Sequence, residues 1–346
     1  MSTTLQAAPA RVAPRRSAPA TGVWLVATLA VLVLAAATSV AFGARSVGWN
    51  DVVAALAGQE ETVAQAAVAS RIPRTVLAMV VGAALGMAGA VLQGLTRNPL
   101  ADPAILGVTW GASLAVVTGI VFFGLSSATG YVWFAIVGSA GAAVLMHVIG
   151  SLGRGGATPL KLALAGAAIT AAFSSLVSAI LLPRLDVMDR FRFWQIGGVG
   201  GANTATTLQV LPFLLLGALL CLVTARGLNS LALGEDVAAG LGESVTRTRV
   251  LAGSGAVLLC GAATALAGPI GFVGLVVPHA CRLLIGLDHR RLLPFSALTG
   301  AVLLTVSDVV GRVVARPSEI DVGIVTAVVG APVFIAIVRR QKARAL

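Results

Sequence analysis

The polar residues that could do chemistry are few in this 346-residue chain, and they gather in four short groups. Residues 97–103 read RNPLADP, residues 231–249 read LALGEDVAAGLGESVTRTR, and residues 183–201 read PRLDVMDRFRFWQIGGVGG. The fourth group consists of Arg71, Arg74 and Arg312, each beside a long apolar run. Prolines and charges in such places can shape irregular backbone and surfaces that bind a partner through ion pairs.

No enzyme motif accompanies these groups. The chain has no GxxxxGK[ST] phosphate loop, no HExxH zinc motif and no Ser/His/Asp arrangement. Cys221, Cys260 and Cys281 lie far apart in apolar runs, which favours small buried side chains over a disulfide framework or a zinc site. We therefore expect no catalytic residue, no metal site and no bound cofactor, and we interpret His147 and His279 as ordinary helix-end residues.

The elements that must position the polar groups are membrane-spanning helices. The sequence is 58% hydrophobic and only 11% charged, with a mean hydropathy of +0.96, which excludes an ordinary soluble domain. Splitting the apolar runs at their polar breaks predicts an all-α polytopic membrane protein with ten spans, the eighth short and broken at Pro278. The predicted spans cover residues 22–42, 74–96, 105–124, 131–150, 160–182, 207–224, 249–267, 270–287, 292–311 and 323–338.

The domain organisation follows from the same pattern. Residues 1–21 are rich in Ala, Pro and Arg and predict a disordered cytosolic tail, and residues 22–346 predict a single transmembrane domain. The run after the tail could also be a cleaved signal peptide. Its roughly twenty apolar residues exceed the usual apolar region of about 7–15, which favours a retained span.

Charge predicts the orientation in the cytoplasmic membrane. With both termini in the cytosol, sixteen basic and five acidic residues lie inside, and eight of each lie outside. The net charge of +11 is then all cytosolic, as the positive-inside rule requires, and it needs no nucleic acid to explain it.

Small residues predict close helix packing. GAALGMAGAVLQG (82–94) and VGSAGAA (137–143) would let helix backbones approach one another within the bilayer. GAALGMAG (82–89) also resembles GAATALAG (261–268), which is consistent either with an inverted repeat or with coincidence in an Ala- and Gly-rich chain.

The two inner segments each have two interpretations. RNPLADP is either an ordinary turn capped by Asn98 or irregular backbone that lines a water-filled path. In residues 231–249, Glu235 and Asp236 suit a helix N-terminus and Gly240 and Gly242 a C-terminus, so a short surface helix is expected. That helix either receives a soluble partner or is simply solvated.

The outer arginines also have two interpretations. Pro73 suits a first helical turn, so Arg71 and Arg74 should project from a helix start. Each arginine could reach lipid phosphate by itself, whereas Arg71, Arg74 and Arg312 together suggest a docking patch for acidic residues of an external partner. Residues 183–201 predict an interfacial helix with aromatic side chains at headgroup level.

In this order, the segments resemble the permease subunits of bacterial type II ATP-binding cassette importers for ferric siderophores, haem and vitamin B12. The matching stretches are RIPRTVLAMVVGAALGMAGAVLQGLTRNPLADPAILGVTWGAS (71–113), LNSLALGEDVAAGLG (228–242), GPIGFVGLVVPHACRLLIGLDHRRLLP (268–294), SDVVGR (307–312) and VGIVTAVVGAPVFIAIVRR (322–340). Two positions depart from the family pattern: Asp321 stands where relatives usually have proline, and Pro159 follows a proposed gate residue.

The resemblance implies a non-enzymatic transport subunit that pairs with a second permease, either a copy or a paralogue. Two separate ATPase subunits would hold ATP and Mg inside, and an extracytoplasmic binding protein would deliver the substrate outside. The residues it implies are Asn98, Leu100 and Thr158 for the cytoplasmic gate; Leu233, Gly234, Glu235, Asp236, Ala238 and Gly242 for the ATPase coupling helix; and Arg71, Arg74 and Arg312 for binding-protein docking.

A ferric siderophore is the favoured substrate, because FRFWQIGGVGG resembles siderophore permeases; haem and vitamin B12 stay open. Almost no ionisable residue lies at mid-membrane depth, which argues against an ion-coupled carrier that powers itself. A passive channel or scaffold that works without ATP is the alternative from another class.

Overall fold

In the computed structural model, the described residues are 18–153, 158–184, 191 and 195–345, and most of them lie in thirteen α-helices joined by turns. Ten helices correspond one to one to the predicted spans, and three short ones lie between them. In chain order they are α1 (Ala18–Ala41), α2 (Trp49–Leu56), α3 (Val63–Thr96), α4 (Val108–Phe123), α5 (Ala128–Ser151), α6 (Pro159–Leu181), α7 (Thr204–Val223), α8 (Ala225–Ala232), α9 (Glu235–Gly240), α10 (Val245–Ala267), α11 (Val273–Ile285), α12 (His289–Val314) and α13 (Val322–Ala345).

The predicted all-α membrane fold is confirmed. Within the described part of the chain, seven helices are long and apolar enough to cross a membrane: α1, α3, α5, α6, α7, α10 and α12. The apolar helices α4 and α11 and the apolar part of α13 are shorter. Helix α1 begins at Ala18, four residues before the predicted span, whereas residues 1–17 of the predicted tail lie outside the described residues.

Helix α3 begins well before the predicted residue 74. Its start is a capping box, in which the amide of Gln65 donates to the Thr62 hydroxyl (3.2 Å) and the Gln65 side chain accepts from the Thr62 amide (3.1 Å). Pro73 therefore lies inside the helix, and the prediction that Pro73 marks its first turn was wrong. Arg71 and Arg74 lie two to three turns from the helix start.

Glycines bring the helices of the bundle into backbone contact, as the small-residue runs predicted. A Cβ atom added at Gly82 would lie 2.3 Å from the Gly300 carbonyl oxygen of α12, and one at Gly89 would lie 2.1 Å from the Gly274 oxygen of α11. At Gly138 of α5 the distance would be 2.2 Å from the Gly111 oxygen of α4. Because no side chain fits there, these pairs fix which helices are neighbours.

Apolar side chains also cover the outside of the bundle. Leu34 of α1, Leu164 of α6 and Leu215 of α7 are exposed, while Val81 and Val91 of the central helix α3 are fully buried. A helix that is apolar on its outer face is expected where lipid replaces water. The candidate sites lie at the two ends of this apolar bundle, where charged side chains are found.

The predicted interfacial helix at 183–201 cannot be compared with the structure over residues 185–190 and 192–194, which lie outside the described residues. The residues that follow connect two spans: the Gly198 amide donates to the Ala267 oxygen and the Gly323 amide to the Gly197 oxygen, each at 2.9 Å. Asp321 directly precedes α13, and burial raises the pKa of its carboxyl above the ordinary value.

Candidate functional site

The segment RNPLADP forms the turn between α3 and α4. Arg97 ends α3 in the left-handed conformation (φ 48°), and the Asn98 amide donates to the Gln93 oxygen at 3.2 Å. The Asn98 side-chain oxygen accepts from the Leu100 amide at 2.9 Å, which makes a local Asx turn. Asn98 thus shapes the turn through its own side chain, and Leu100 is half-buried.

Asp102 fastens this turn to the start of α11. Its carboxylate is 2% exposed, accepts from the Ala104 amide at 2.9 Å, and also receives the Leu275 amide in the first turn of α11. A carboxylate at a helix N-terminus satisfies unpaired N–H groups and complements the helix dipole. The turn and the short helix are therefore held together by one buried side chain.

Pro278 does not break α11, contrary to the prediction, because another side chain replaces its missing donor. Proline has no N–H for the carbonyl four residues earlier, which here belongs to Gly274. The Gln93 side chain of α3 donates to that Gly274 oxygen at 2.9 Å, and its own oxygen accepts from Arg282. The nitrogen and the oxygen of the buried Gln93 side chain are thus both hydrogen-bonded. Gln93 connects α3 to the first and the last turn of α11.

Thr158 is the N-cap residue of α6. Its hydroxyl accepts from the Lys161 amide at 3.3 Å, and Pro159 takes the first helical position, where a missing N–H costs nothing. Among the described residues, no hydrogen bond connects Thr158 to Asn98 or Leu100. In a single chain the three predicted gate residues therefore do not form one hydrogen-bonded group.

Helix α9 is a six-residue helix on the same end of the bundle. Gly234 precedes it at φ 117°, a conformation that suits glycine, and Glu235 and Asp236 fill its first turn. At its other end, the Glu243 amide donates to the Ala238 oxygen (3.0 Å) and the Gly242 amide to the Ala239 oxygen (2.9 Å). This is a Schellman ending, with Gly242 at φ +80°, so the predicted short helix is present at its predicted place.

The outward side of α9 is apolar and acidic. Leu233, Val237 and Leu241 are 63%, 50% and 66% exposed, whereas Ala238 is fully buried beneath them. We call the three exposed side chains the α9 ridge. Arg249 of α10 binds the Glu235 carboxylate, and this hydrogen bond lowers the pKa of that carboxyl below its ordinary value. The Arg249 Nη1 to Glu235 Oε2 distance is 3.2 Å.

Helix α8 joins α9 firmly to the bundle. Its Asn229 amide donates to the Asp288 carboxylate at 2.6 Å, and the Asn229 oxygen accepts from the His289 amide at 2.8 Å. Asp288 and His289 form the start of α12, which packs along α3. Asn229 thus connects α8, the helix that directly precedes α9, to the start of α12.

The other end of the bundle carries a buried ionic cluster. The Asp308 carboxylate binds Arg74 through two nitrogens (Nε 3.0 Å, Nη2 2.8 Å) and Arg312 at 2.9 Å. Arg74 also binds Glu319 at 2.6 Å. Asp308 is 1% exposed, so the carboxylate is shared by two guanidinium groups away from water.

The expectation that Arg71 and Arg74 project from a helix start was wrong for Arg71, and Arg312 is buried as well. Arg312 is 1% exposed and donates to the Ser39 and Phe42 oxygens; Arg71 is 5% exposed and donates to the oxygens of Val40 (3.1 Å), Ala41 (2.9 Å) and Arg45 (2.7 Å). The freed carbonyls at the end of α1 attract both guanidinium groups inward. Arg74 alone keeps a polar partner at the rim.

These features were compared with known proteins. Residues 30–340 match the FecCD transport family. This range covers nearly the whole described bundle. The chain belongs to the FecCD transport family. The resemblance inferred from the sequence is thereby confirmed.

Relatives of this FecCD protein include siderophore and haem permeases. The ferric enterobactin transport system permease protein FepD of Escherichia coli is 43% identical over 314 residues, which are 90% of this chain and 94% of FepD. The probable siderophore permease YfiZ of Bacillus subtilis is 39% identical over 91% of this chain and 95% of YfiZ. The hemin permease HmuU of Yersinia pestis is 39% identical over 79% of this chain and 82% of HmuU.

A solved structure agrees with the FecCD assignment. An inward-facing conformation of a metal-chelate type ABC transporter is 31% identical, has a TM-score of 0.78, and covers 92% of this chain and 99% of its own. PsaBC from Streptococcus pneumoniae in complex with Fab has a TM-score of 0.57 at 16% identity, which shows a shared fold alone.

Sequence reasoning assigned no role to three buried residues of this FecCD chain: Gln93, Asp102 and Asp308. Gln93 is the one amide in the apolar run 82–94, Asp102 lies between α3 and α4, and Asp308 lies within α12. The cost of burying such groups without partners was the available signal. Their partners, however, lie up to 234 residues away in sequence, so only the fold identifies them.

Proposed function

We propose that this chain is the permease subunit of an ATP-binding cassette importer that moves a ferric siderophore across the cytoplasmic membrane. The observation that carries the proposal is the match to siderophore permeases such as FepD, which extends over 90% of the chain. The chain itself does no chemistry on the substrate. Its work is to offer a path whose two ends open in turn.

A separate ATPase, holding ATP and Mg, drives this movement by binding the α9 end. The proposal is supported by the α9 ridge, because three exposed apolar side chains flanked by acids suit a groove on a soluble partner. It is supported also by the path from α9 through Asn229 to α12. Since this end also carries the excess of basic residues, it faces the cytosol, as do both termini.

The turn that contains Asn98 and Leu100 forms the cytoplasmic gate, together with Thr158. Irregular backbone at membrane depth is tolerated where it lines a water-filled cavity. A second permease, either a copy or a paralogue, completes the path, which explains why the three residues need not contact one another within one chain. The Asp102 carboxylate would carry a movement of α11 to this turn.

An extracytoplasmic binding protein docks at the Arg74 end. Arg74 supports this role best among the three arginines, because its side chain is 12% exposed, whereas the Arg312 side chain is 2% exposed and Arg71 is 5% exposed. Arg71 and Arg312 would then orient the end of α1 rather than contact the partner directly.

Uptake of radioactive iron tests the proposed function. A strain that lacks its own iron-chelate permeases is given this chain with its neighbouring ATPase and binding protein, and is then fed iron-55 as siderophore or as haem. We expect accumulation of the ferric siderophore that depends on the ATPase. Accumulation of haem alone would contradict the siderophore proposal and would indicate a haem permease similar to HmuU.

A passive channel or scaffold is the second candidate, and it predicts a different result. Such a protein would equilibrate the chelate without its ATPase. We expect the chain alone to move no iron chelate, because described spans are in direct backbone contact at pairs such as Gly82–Gly300, so that opening a path between them would need an energy source.

A further inference from the structure

A cleft at the α9 end of the bundle has no place in the proposed transport path. It lies between the end of α7, the start of α8 and the start of α12, and its volume is about 410 Å³. Leu222, Val223, Ala225, Arg226 and Arg290 line it. Because a water molecule takes about 30 Å³ of liquid, the cleft is too large for a single small ion and suits a polyatomic group.

The two arginines of the cleft are available for an anion. Arg226 and Arg290 are exposed, they come from different helices, and among the described residues neither forms an ion pair with a carboxylate within 4.0 Å. The nearby Asp288 carboxylate is already occupied by the Asn229 amide (2.6 Å) and by the backbone amide of Arg290 (3.0 Å). The side chain of Arg291, the next residue, bonds to Thr21.

The rest of the lining identifies the kind of molecule that carries the anion. Leu222 and Val223 are 43% and 68% exposed and form the last turn of α7, a helix apolar enough to span the membrane. Their side chains therefore face acyl chains rather than water. A pair of guanidinium groups directly beside lipid-facing Leu and Val is the arrangement that suits a phosphate at the membrane surface.

We propose that the cleft between α7, α8 and α12 binds the phosphodiester headgroup of an anionic phospholipid, with Arg226 and Arg290 on the phosphate and Leu222 and Val223 against its acyl chains. The inference rests on the proposed orientation, which places this end at the inner leaflet. Anionic lipids there attract basic residues near the surface. A lipid bound across α7 and α12 would brace the helices that hold α8, and with it α9.

The test is a lipid titration of the purified full chain in neutral detergent, followed by thermal unfolding. Dihexanoyl phosphatidylglycerol should raise the midpoint of unfolding, since a ligand that binds only the folded state stabilises it. Dihexanoyl phosphatidylcholine and inorganic phosphate at the same concentrations should not. In the Arg226→Gln, Arg290→Gln double variant, the affinity for phosphatidylglycerol should fall about 30-fold, because each basic residue contributes roughly fivefold.

Arg247→Gln is the matched control, because Arg247 is exposed at the same end of the bundle and does not line the cleft. It should keep the full response to phosphatidylglycerol. If the double variant is too unstable to purify, each single variant should lose about fivefold in affinity instead.

Two results would overturn the proposal. An unchanged phosphatidylglycerol response in the double variant would place the lipid elsewhere, and an equal response to inorganic phosphate would make the cleft a site for soluble anions. Because the titration uses the chain alone, its failure leaves the uptake experiment unaffected.

Discussion

Asp308 is the counter-ion of two arginines in a place that water does not reach. Its carboxylate binds Arg74 at 2.8 Å and Arg312 at 2.9 Å, while Arg312 also holds the end of α1 through Ser39. Removing one partner of a buried ion pair leaves an uncompensated charge, which costs far more than the loss of a surface pair. The cluster is therefore a strong test of how the outer end is built.

Asp308→Asn should destabilise the chain by about 3–5 kcal/mol, because two guanidinium groups lose their shared negative charge. Glu319→Gln removes another carboxylate bound to Arg74, but Glu319 is exposed, so its loss should cost less than about 1 kcal/mol. Chemical or thermal unfolding of both variants in the same detergent measures the difference. Equal losses would show that the cluster is not buried as described.

Gln93 and Pro278 form a second pair that can be tested at the level of single atoms. Gln93→Glu can still accept from Arg282 but can no longer donate to the Gly274 oxygen, and an unsatisfied buried acceptor costs about 1–3 kcal/mol. Pro278→Ala restores the helix's own N–H donor to that oxygen. We expect Gln93→Glu to cost less in the Pro278→Ala background. A double-mutant cycle with no coupling would contradict the substitution of one donor for the other.

At the scale of helices, glycine contacts decide which spans are neighbours. Gly82→Ala should destabilise the bundle, because its Cβ would lie 2.3 Å from the Gly300 oxygen and force α3 and α12 apart. Gly141→Ala in α5 meets nothing within 4 Å and should be stabilising by about 1 kcal/mol, as Ala is preferred over Gly inside helices. The two substitutions are chemically identical, so opposite signs in unfolding experiments would verify the packing, and equal signs would refute it.

The α9 ridge gives a prediction about assembly. Leu233→Ser combined with Leu241→Ser should weaken binding of the ATPase roughly tenfold or more, since well-exposed apolar anchors carry much of an interface's free energy. Leu287→Ser serves as the control, because Leu287 is 70% exposed at the same end but is not part of the α9 ridge. Quantitative co-purification measures both. If the control weakens binding as much as the ridge variant, the ridge has no special role.

The helices were predictable to different degrees from sequence. Ten apolar runs predicted ten spans, because the cost of unpaired backbone groups in lipid makes helices obligatory there. Helix ends were less predictable: a proline at residue 73 resembles a helix start, but the capping box at Thr62 and Gln65 begins the helix earlier. In α11 the missing N–H of Pro278 is replaced by the side chain of Gln93, which donates to the Gly274 oxygen. Gln93 and Gly274 are 181 residues apart in sequence, so only the fold brings them together.

The candidate site was predictable where its residues act locally. Gly234, Glu235, Asp236 and Gly242 fix α9 through their own backbone and charge, so the short helix could be located from sequence. The arginines act at long range, and their sequence spacing could not reveal that carbonyl oxygens at the end of α1 would draw Arg71 and Arg312 inward. What the resemblance implied for their role stays a prediction.

For the whole molecule, the central claim is that the bundle does not power itself. The two buried acids among its described residues both have partners within the bundle: Asp308 pairs with Arg74 and Arg312, and Asp102 accepts from the backbone amide of Ala104. A carrier driven by an ion gradient would keep a buried ionisable group free for the ion it couples to. We therefore expect the energy for transport to come from another subunit, which would bind at the exposed α9 ridge.

The most direct test compares two kinds of proteoliposome. One contains this permease with its ATPase and binding protein, and the other contains the permease alone; each is given iron-55 siderophore, with ATP or with a proton or sodium gradient as the energy source. We expect the complex to concentrate the siderophore with ATP and the isolated permease to concentrate none under either gradient. Accumulation by the isolated permease driven by an ion gradient would contradict the account.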